Sequence, residues 1–142
     1  MNNLREIIKY LEGKKVRFAD AREHLFRERE ITTEDTRVEQ ITEENVSGVG
    51  IKVLWENGWG YASTSGTGPD AIRKAADKAL SLARNADKSA TGTVELAAEP
   101  RHTAKFSTKI KEDPFKIGVG DAVGVLLAAG ETILKGKDVI KA

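Results

Sequence analysis

Residues 50–68 read GIKVLWENGWGYASTSGTG, a run with two tryptophans, one tyrosine and five glycines. Val49, Ile51, Val53 and Trp55 alternate with Gly50, Lys52 and Leu54, which is the pattern of a two-faced strand. Asn57-Gly58 follows, a strong hairpin signal because both residues tolerate positive φ. A turn centred there predicts that Glu56 faces Trp59, Trp55 faces Gly60, Leu54 faces Tyr61 and Val53 faces Ala62. Ile51, Val53 and Trp55 then share a face with Gly60, Ala62 and Thr64, while Leu54 lies with Tyr61. Gly60 offers bare backbone on which the Trp55 indole can lie, and Trp55, Trp59 and Tyr61 read as packing residues rather than a ligand-stacking set.

A helix follows the predicted hairpin 49–65. In PDAIRKAADKALSLARNAD, Gly68 or Thr67 can cap, Pro69 fits the first helical position and Asp70 complements the positive helix end. Ile72, Ala75, Ala76, Ala79, Leu82, Ala83 and Ala86 form one stripe over residues 69–86, and its small side chains allow close approach to a sheet. Upstream, Leu4, Ile7, Ile8 and Leu11 predict a helix over about 4–12, with Asn3 as N-cap and Gly13 as terminator. Residues 16–31 change to strand spacing with Ala19, Ala21 and Leu25 on one parity, TTEDT at 32–36 reads as a turn, and 37–46 as the returning strand.

Downstream, KSATGTVELAAEP is a polar connector and RHTAKFSTKI (101–110) alternates like a strand. Pro114 precedes a predicted helix over about 119–135, capped by Gly118 with Asp121 in its first turn. Gly124 and Gly130 each weaken that helix by roughly 1 kcal/mol relative to alanine, so it needs tertiary support. Val139 and Ile140 read as the start of a further element. The fold class expected is α+β, with a mostly antiparallel twisted sheet and packed helices.

The 142 residues suit one domain, and 23 basic against 22 acidic residues leave a net charge of +1, with no field favouring a polyanion. Residues 18–45 hold nine acids against four arginines, read as a solvated strand face. No apolar run approaches the roughly 20 residues that span a bilayer. With no cysteine, disulfides, thiolate nucleophiles and cysteine-ligated metal are excluded. His24 and His102 sit in no metal-binding spacing and read as surface or strand histidines. GVGDAVG at 118–124 has the wrong spacing for a dinucleotide loop, and there is no G-x-S-x-G elbow. The residues therefore yield no catalytic, cofactor-binding or metal site.

Four stretches carry a resemblance: ADAREHLFRERE, SGVGIKVLWENGWGYASTSG, PDAIRKAADKALSLAR and EDPF. Together they resemble the N-terminal domain of the TldD/PmbA family, closest in the run from Gly48 to Ser65 and nearer its TldD branch. These microbial proteins were once described as modulators of DNA gyrase and are understood as zinc metallopeptidases acting on peptides. The family's HExxxH helix and cysteine belong to a C-terminal catalytic domain, and no position here matches them. An N-terminus that reads as an amphipathic helix rather than a secretory signal, with no membrane-spanning run, predicts a cytoplasmic address. The resemblance implies that residues 1–142 are a single non-catalytic N-terminal domain, with zinc bound only in the C-terminal domain. Its implied partners are that metallopeptidase domain, a homologous subunit in a dimer or heterodimer, and unfolded peptide substrate. Neither membrane nor nucleic acid is an expected partner. A stand-alone peptide- or protein-binding module is the alternative.

Overall fold

The computed structural model describes residues 2–136; Val139 and Ile140, expected to open another element, lie outside them. In chain order the elements are α1 (Asn2–Gly13), β1 (Phe18–Glu34), β2 (Arg37–Trp55), β3 (Gly58–Thr64), α2 (Pro69–Asp87), a 3-10 turn (Pro114–Lys116) and α3 (Val119–Leu134). The strands form one antiparallel sheet in the order β1-β2-β3, which makes the α+β reading correct. Packing divides the chain into two compact units. One comprises Met1–Phe26 with Val46–Pro100, and the other Arg27–Asn45 with the chain from Arg101 onward.

In the first unit, α1 and α2 cover one face of the sheet. Ile7 and Leu11 from α1 join Val49, Ile51, Val53 and Ala62 from the strands and Ile72, Ala75, Ala76, Ala79, Leu80 and Ala83 from α2 in one buried cluster. Burying each large aliphatic side chain there is worth roughly 1.5–3 kcal/mol. α2 begins as its sequence dictates, with Gly68 extended (φ −74°, ψ 154°), Pro69 at the first position and Asp70 in the first turn. Its buried stripe includes Leu80 in place of Leu82 and Ala86, which are exposed, because α1 packs beside α2 and shelters Leu80. Asn3 lies inside α1 rather than capping it, and its amide nitrogen donates to Thr67 O at 3.5 Å. The left-handed residue after α1 is Lys15 (φ 61°), not Gly13.

The β2–β3 register differs from the expectation by two residues. Trp55 pairs with Gly58, Leu54 with Trp59, Val53 with Gly60 and Ile51 with Ala62. The turn is Glu56-Asn57, with Glu56 at φ 44° and no glycine at positive φ. A two-residue shift preserves the faces, so the apolar side still meets the helices. Gly58 and Gly60 serve α2 instead of the turn or the indole. A Cβ at Gly58 would overlap Ala83 O and Asp87 N, and one at Gly60 would overlap Ala79 O and Ala83 N. Bare strand backbone thus lies directly against bare helix backbone. Trp55 packs at the cluster's edge with the Arg84 guanidinium 4.2 Å from its ring centre.

The turn is clasped by polar groups. Asn57 N–H donates to Asp87 Oδ1 at 3.0 Å, and Asn57 Oδ1 accepts from Val94 N–H at 3.0 Å. Arg17 donates to Glu56 O at 2.7 Å and to Val94 O at 2.9 Å, fixing the connector beside the hairpin.

In the second unit, the chain turns between β1 and β2 at Asp35-Thr36, with Asp35 at φ 55°. α3 passes so close that a Cβ at Gly130 would overlap Asp35 O, which accounts for that helix-weakening glycine. Residues 101–110, expected as a strand, are irregular and exposed throughout, because no strand lies beside them to take their backbone hydrogen bonds. Leu25, expected on the core parity with Ala19 and Ala21, is 78% exposed, whereas the two alanines pack against the cluster.

Candidate functional site

Three places in the fold gather side chains that could act, and the sheet face opposite the helices is the first. Alternation along the strands puts Phe18, Lys52, Leu54, Trp59 and Tyr61 there. Phe18 meets Trp59 edge to face at 5.7 Å, and Lys52 Nζ sits 4.2 Å over the Trp59 ring. Tyr61 lies across bare backbone at Gly50, where an added Cβ would be 2.8 Å from its hydroxyl. An aromatic does cover a glycine, then, but the pair is Tyr61 on Gly50. Trp59 and Tyr61 are 36% and 61% exposed, so they pack on the open face of the sheet, whereas Trp55 packs against the buried cluster. His24 stacks on Phe26 at 5.8 Å. The face offers apolar and cation–π contact but no nucleophile joined to a base.

The second place is a groove of about 370 Å³ between α1 and α2, lined by residues that include Tyr10, Lys14, Asp77, Ser81, Arg84 and Lys88. Its one hydroxyl–carboxylate contact, Tyr10 to Asp77 Oδ1 at 2.5 Å, ties the two helices together while Arg73 stacks on the Tyr10 ring. Asp77 also faces Arg73 at 3.7 Å. These polar contacts are accounted for by helix–helix packing.

The third place lies in the second unit and explains EDPF. Asp113 Oδ1 accepts the Phe115 N–H at 3.0 Å and caps the 3-10 turn. The Phe115 ring lies under Arg27 (4.1 Å) and Arg29 (5.3 Å), and both guanidiniums bind the Glu43 carboxylate. Arg29 also donates to Ile117 O at 2.9 Å. Hydrogen bonds from Arg27 first, then Arg29, hold the Glu43 carboxyl below its ordinary range. A carboxylate kept charged in this way is a poor proton shuttle and a good strut.

The family resemblance implies zinc, and these side chains do not fit it. Among the described residues no group of three or more His, Asp or Glu is placed to hold a metal ion, and the chain has no cysteine. His24 is committed to Phe26, and His102 stands in the exposed irregular segment.

Part of this chain is similar to known proteins. The family model described as PmbA/TldA metallopeptidase domain 1 matches residues 19–83. Metalloprotease MJ0996 of Methanocaldococcus jannaschii is 33% identical over 84 residues, 59% of this chain and 18% of that protein. The aligned part thus spans less than a fifth of the curated relative. Residues 19–83 take in β1, β2, β3 and most of α2, so the match falls on the glycine-mediated contact between hairpin and helix. Through that matched sheet and covering helix, residues 19–83 are similar to the first domain of the PmbA/TldD metallopeptidase family.

Proposed function

We propose that this chain is the non-catalytic N-terminal domain of a zinc metallopeptidase that processes or degrades unfolded peptides in the cytoplasm. In that role it helps wall the substrate cavity and make subunit contacts, and the metal and reacting groups belong to a C-terminal domain of a longer polypeptide. The observation that carries this reading is the family match over residues 19–83, set beside candidate sites whose polar groups are engaged in holding the fold. β3 lies at an edge of the sheet, and such an edge can pair with an extended main chain without reading its side chains. No helix among the described residues is long and apolar enough to cross a membrane.

Peptidase assays test the proposal. The longer polypeptide should cleave an unstructured peptide, lose that activity with chelator and regain it with zinc, while the 142-residue chain assayed beside it stays inactive. Chelator-insensitive cleavage by the longer polypeptide would contradict the reading. The exposed face with Phe18, Trp59 and Tyr61 favours a second reading, a stand-alone binding module. A coding frame that continues downstream into HExxxH supports the first reading, and a stop after Ala142 supports the second.

A further inference from the structure

Three cations meet in the groove between α1 and α2 and are held there by neutral groups. Lys14, Arg84 and Lys88 line it beside Ser81 and Asn85. Bases in other parts of the chain are neutralised by acids: Arg22 by Asp20, and Arg27 and Arg29 by Glu43. In the groove, Lys14 Nζ lies 5.2 Å from the Tyr10 ring centre, the Arg84 guanidinium lies over Trp55, and Lys88 Nζ donates to Asn85 Oδ1 at 3.2 Å. Each contact positions a cation without cancelling its charge. None of the three is ion-paired among the described residues. Asp77, the one acid of the lining, is engaged by the Tyr10 hydroxyl and by Arg73.

We propose that this groove binds a diphosphate group, free or carried on a small organic molecule. Its volume of about 370 Å³ falls among small-molecule sites, which run from roughly 300 to 1,000 Å³. Three positive charges suit a multiply charged anion, and the Ser81 hydroxyl and Asn85 amide add uncharged donors. Lys14 and Lys88 directly follow α1 and α2, and a helix C-terminus carries about half a negative charge. Two such ends offset about one of the three full charges and leave two for a ligand. An acidic peptide is the poorer occupant. Both walls are helix, whose backbone N–H groups are bonded within α1 and α2 and cannot hold an extended main chain. A phosphate group asks for donors alone, which these side chains supply. The Tyr10 ring already carries Lys14 and Arg73, and Trp55 carries Arg84, so recognition rests on the phosphates rather than on stacking.

NMR titration of the 142-residue chain with pyrophosphate at physiological salt tests the site. Saturable shifts centred on Ser81, Arg84, Asn85 and Lys88 are expected, with Lys14→Gln and Arg84→Gln each weakening binding by about fivefold or more. Lys78→Gln removes the same charge from an exposed position of α2 outside the groove and should change affinity by less than about twofold. All three side chains are exposed, so the variants should keep the fold, which their amide spectra report. Titration with ADP separates the two sources. Equal affinity means that the diphosphate alone is recognised, and tighter binding with shifts extending along the groove means a phosphorylated small molecule. Non-saturating shifts, shifts spread over lysines across the surface, or equal weakening by Lys78→Gln overturn the proposal. Tighter binding of a poly-glutamate peptide than of pyrophosphate overturns it too, by making the groove an acidic-peptide site. The proposal does not rest on the peptidase reading, and its failure leaves that reading intact.

Discussion

At the scale of single residues, the packing turns on which glycines are crowded. Gly60 faces α2 backbone with no room for a methyl group, whereas Gly124 on α3 has open space around it. Gly60→Ala must push the helix off the sheet and should cost roughly 3 kcal/mol through overpacking. Gly124→Ala should instead stabilise α3 by about 1 kcal/mol, by helix propensity alone. Urea unfolding of the two variants checks both signs. Glu43 gives a pH prediction. Its carboxyl titrates lower when folded than when unfolded, so the stabilisation it confers is present above the ordinary carboxylate range and disappears as pH falls through the lowered folded value. The Phe115 ring resonances should therefore shift on acidification as the Arg27 and Arg29 clamp loosens, and Glu43→Gln should remove that transition.

At the scale of elements, α2 is the sharpest test of packing. Ala79 is fully buried against the hairpin, and Ala79→Glu should bury an unpaired charge and abolish soluble folding. Leu82→Glu, three residues on, should change stability by less than about 0.5 kcal/mol because Leu82 is on the exposed side. A soluble, normally melting Ala79→Glu protein would refute the helix-on-sheet assignment. This helix is legible in the sequence because Pro69, Asp70 and the alanine stripe all specify the same element. The hairpin's faces are legible too, through alternation, but not its register. Gly58 looks like a turn glycine locally, and only the presence of α2 shows that it is kept bare for helix contact. Leu80 and Leu82 are separable only once α1 is in place. The alternation in 101–110 suggests a strand because sequence shows the side-chain pattern and not whether a neighbour exists to receive the hydrogen bonds. EDPF is legible as a resemblance; its capping of a turn is local, between Asp113 and Phe115, while the seating of Phe115 under two arginines depends on contacts more than 80 residues apart along the chain, as for Arg29 and Ile117.

At the scale of the whole molecule, no group of three or more His, Asp or Glu among the described residues is placed to hold a metal ion. The tyrosine, carboxylates and arginines that do meet are spent on α1 against α2, on the hairpin turn and on Phe115. The family match over residues 19–83 supplies a metallopeptidase context, and the role proposed for this part is to support chemistry performed elsewhere in a longer polypeptide. Calorimetric titration of zinc into the purified 142-residue chain tests that claim most directly. No stoichiometric tight binding is the predicted result; a one-to-one, high-affinity isotherm that survives removal of adventitious metal would contradict it.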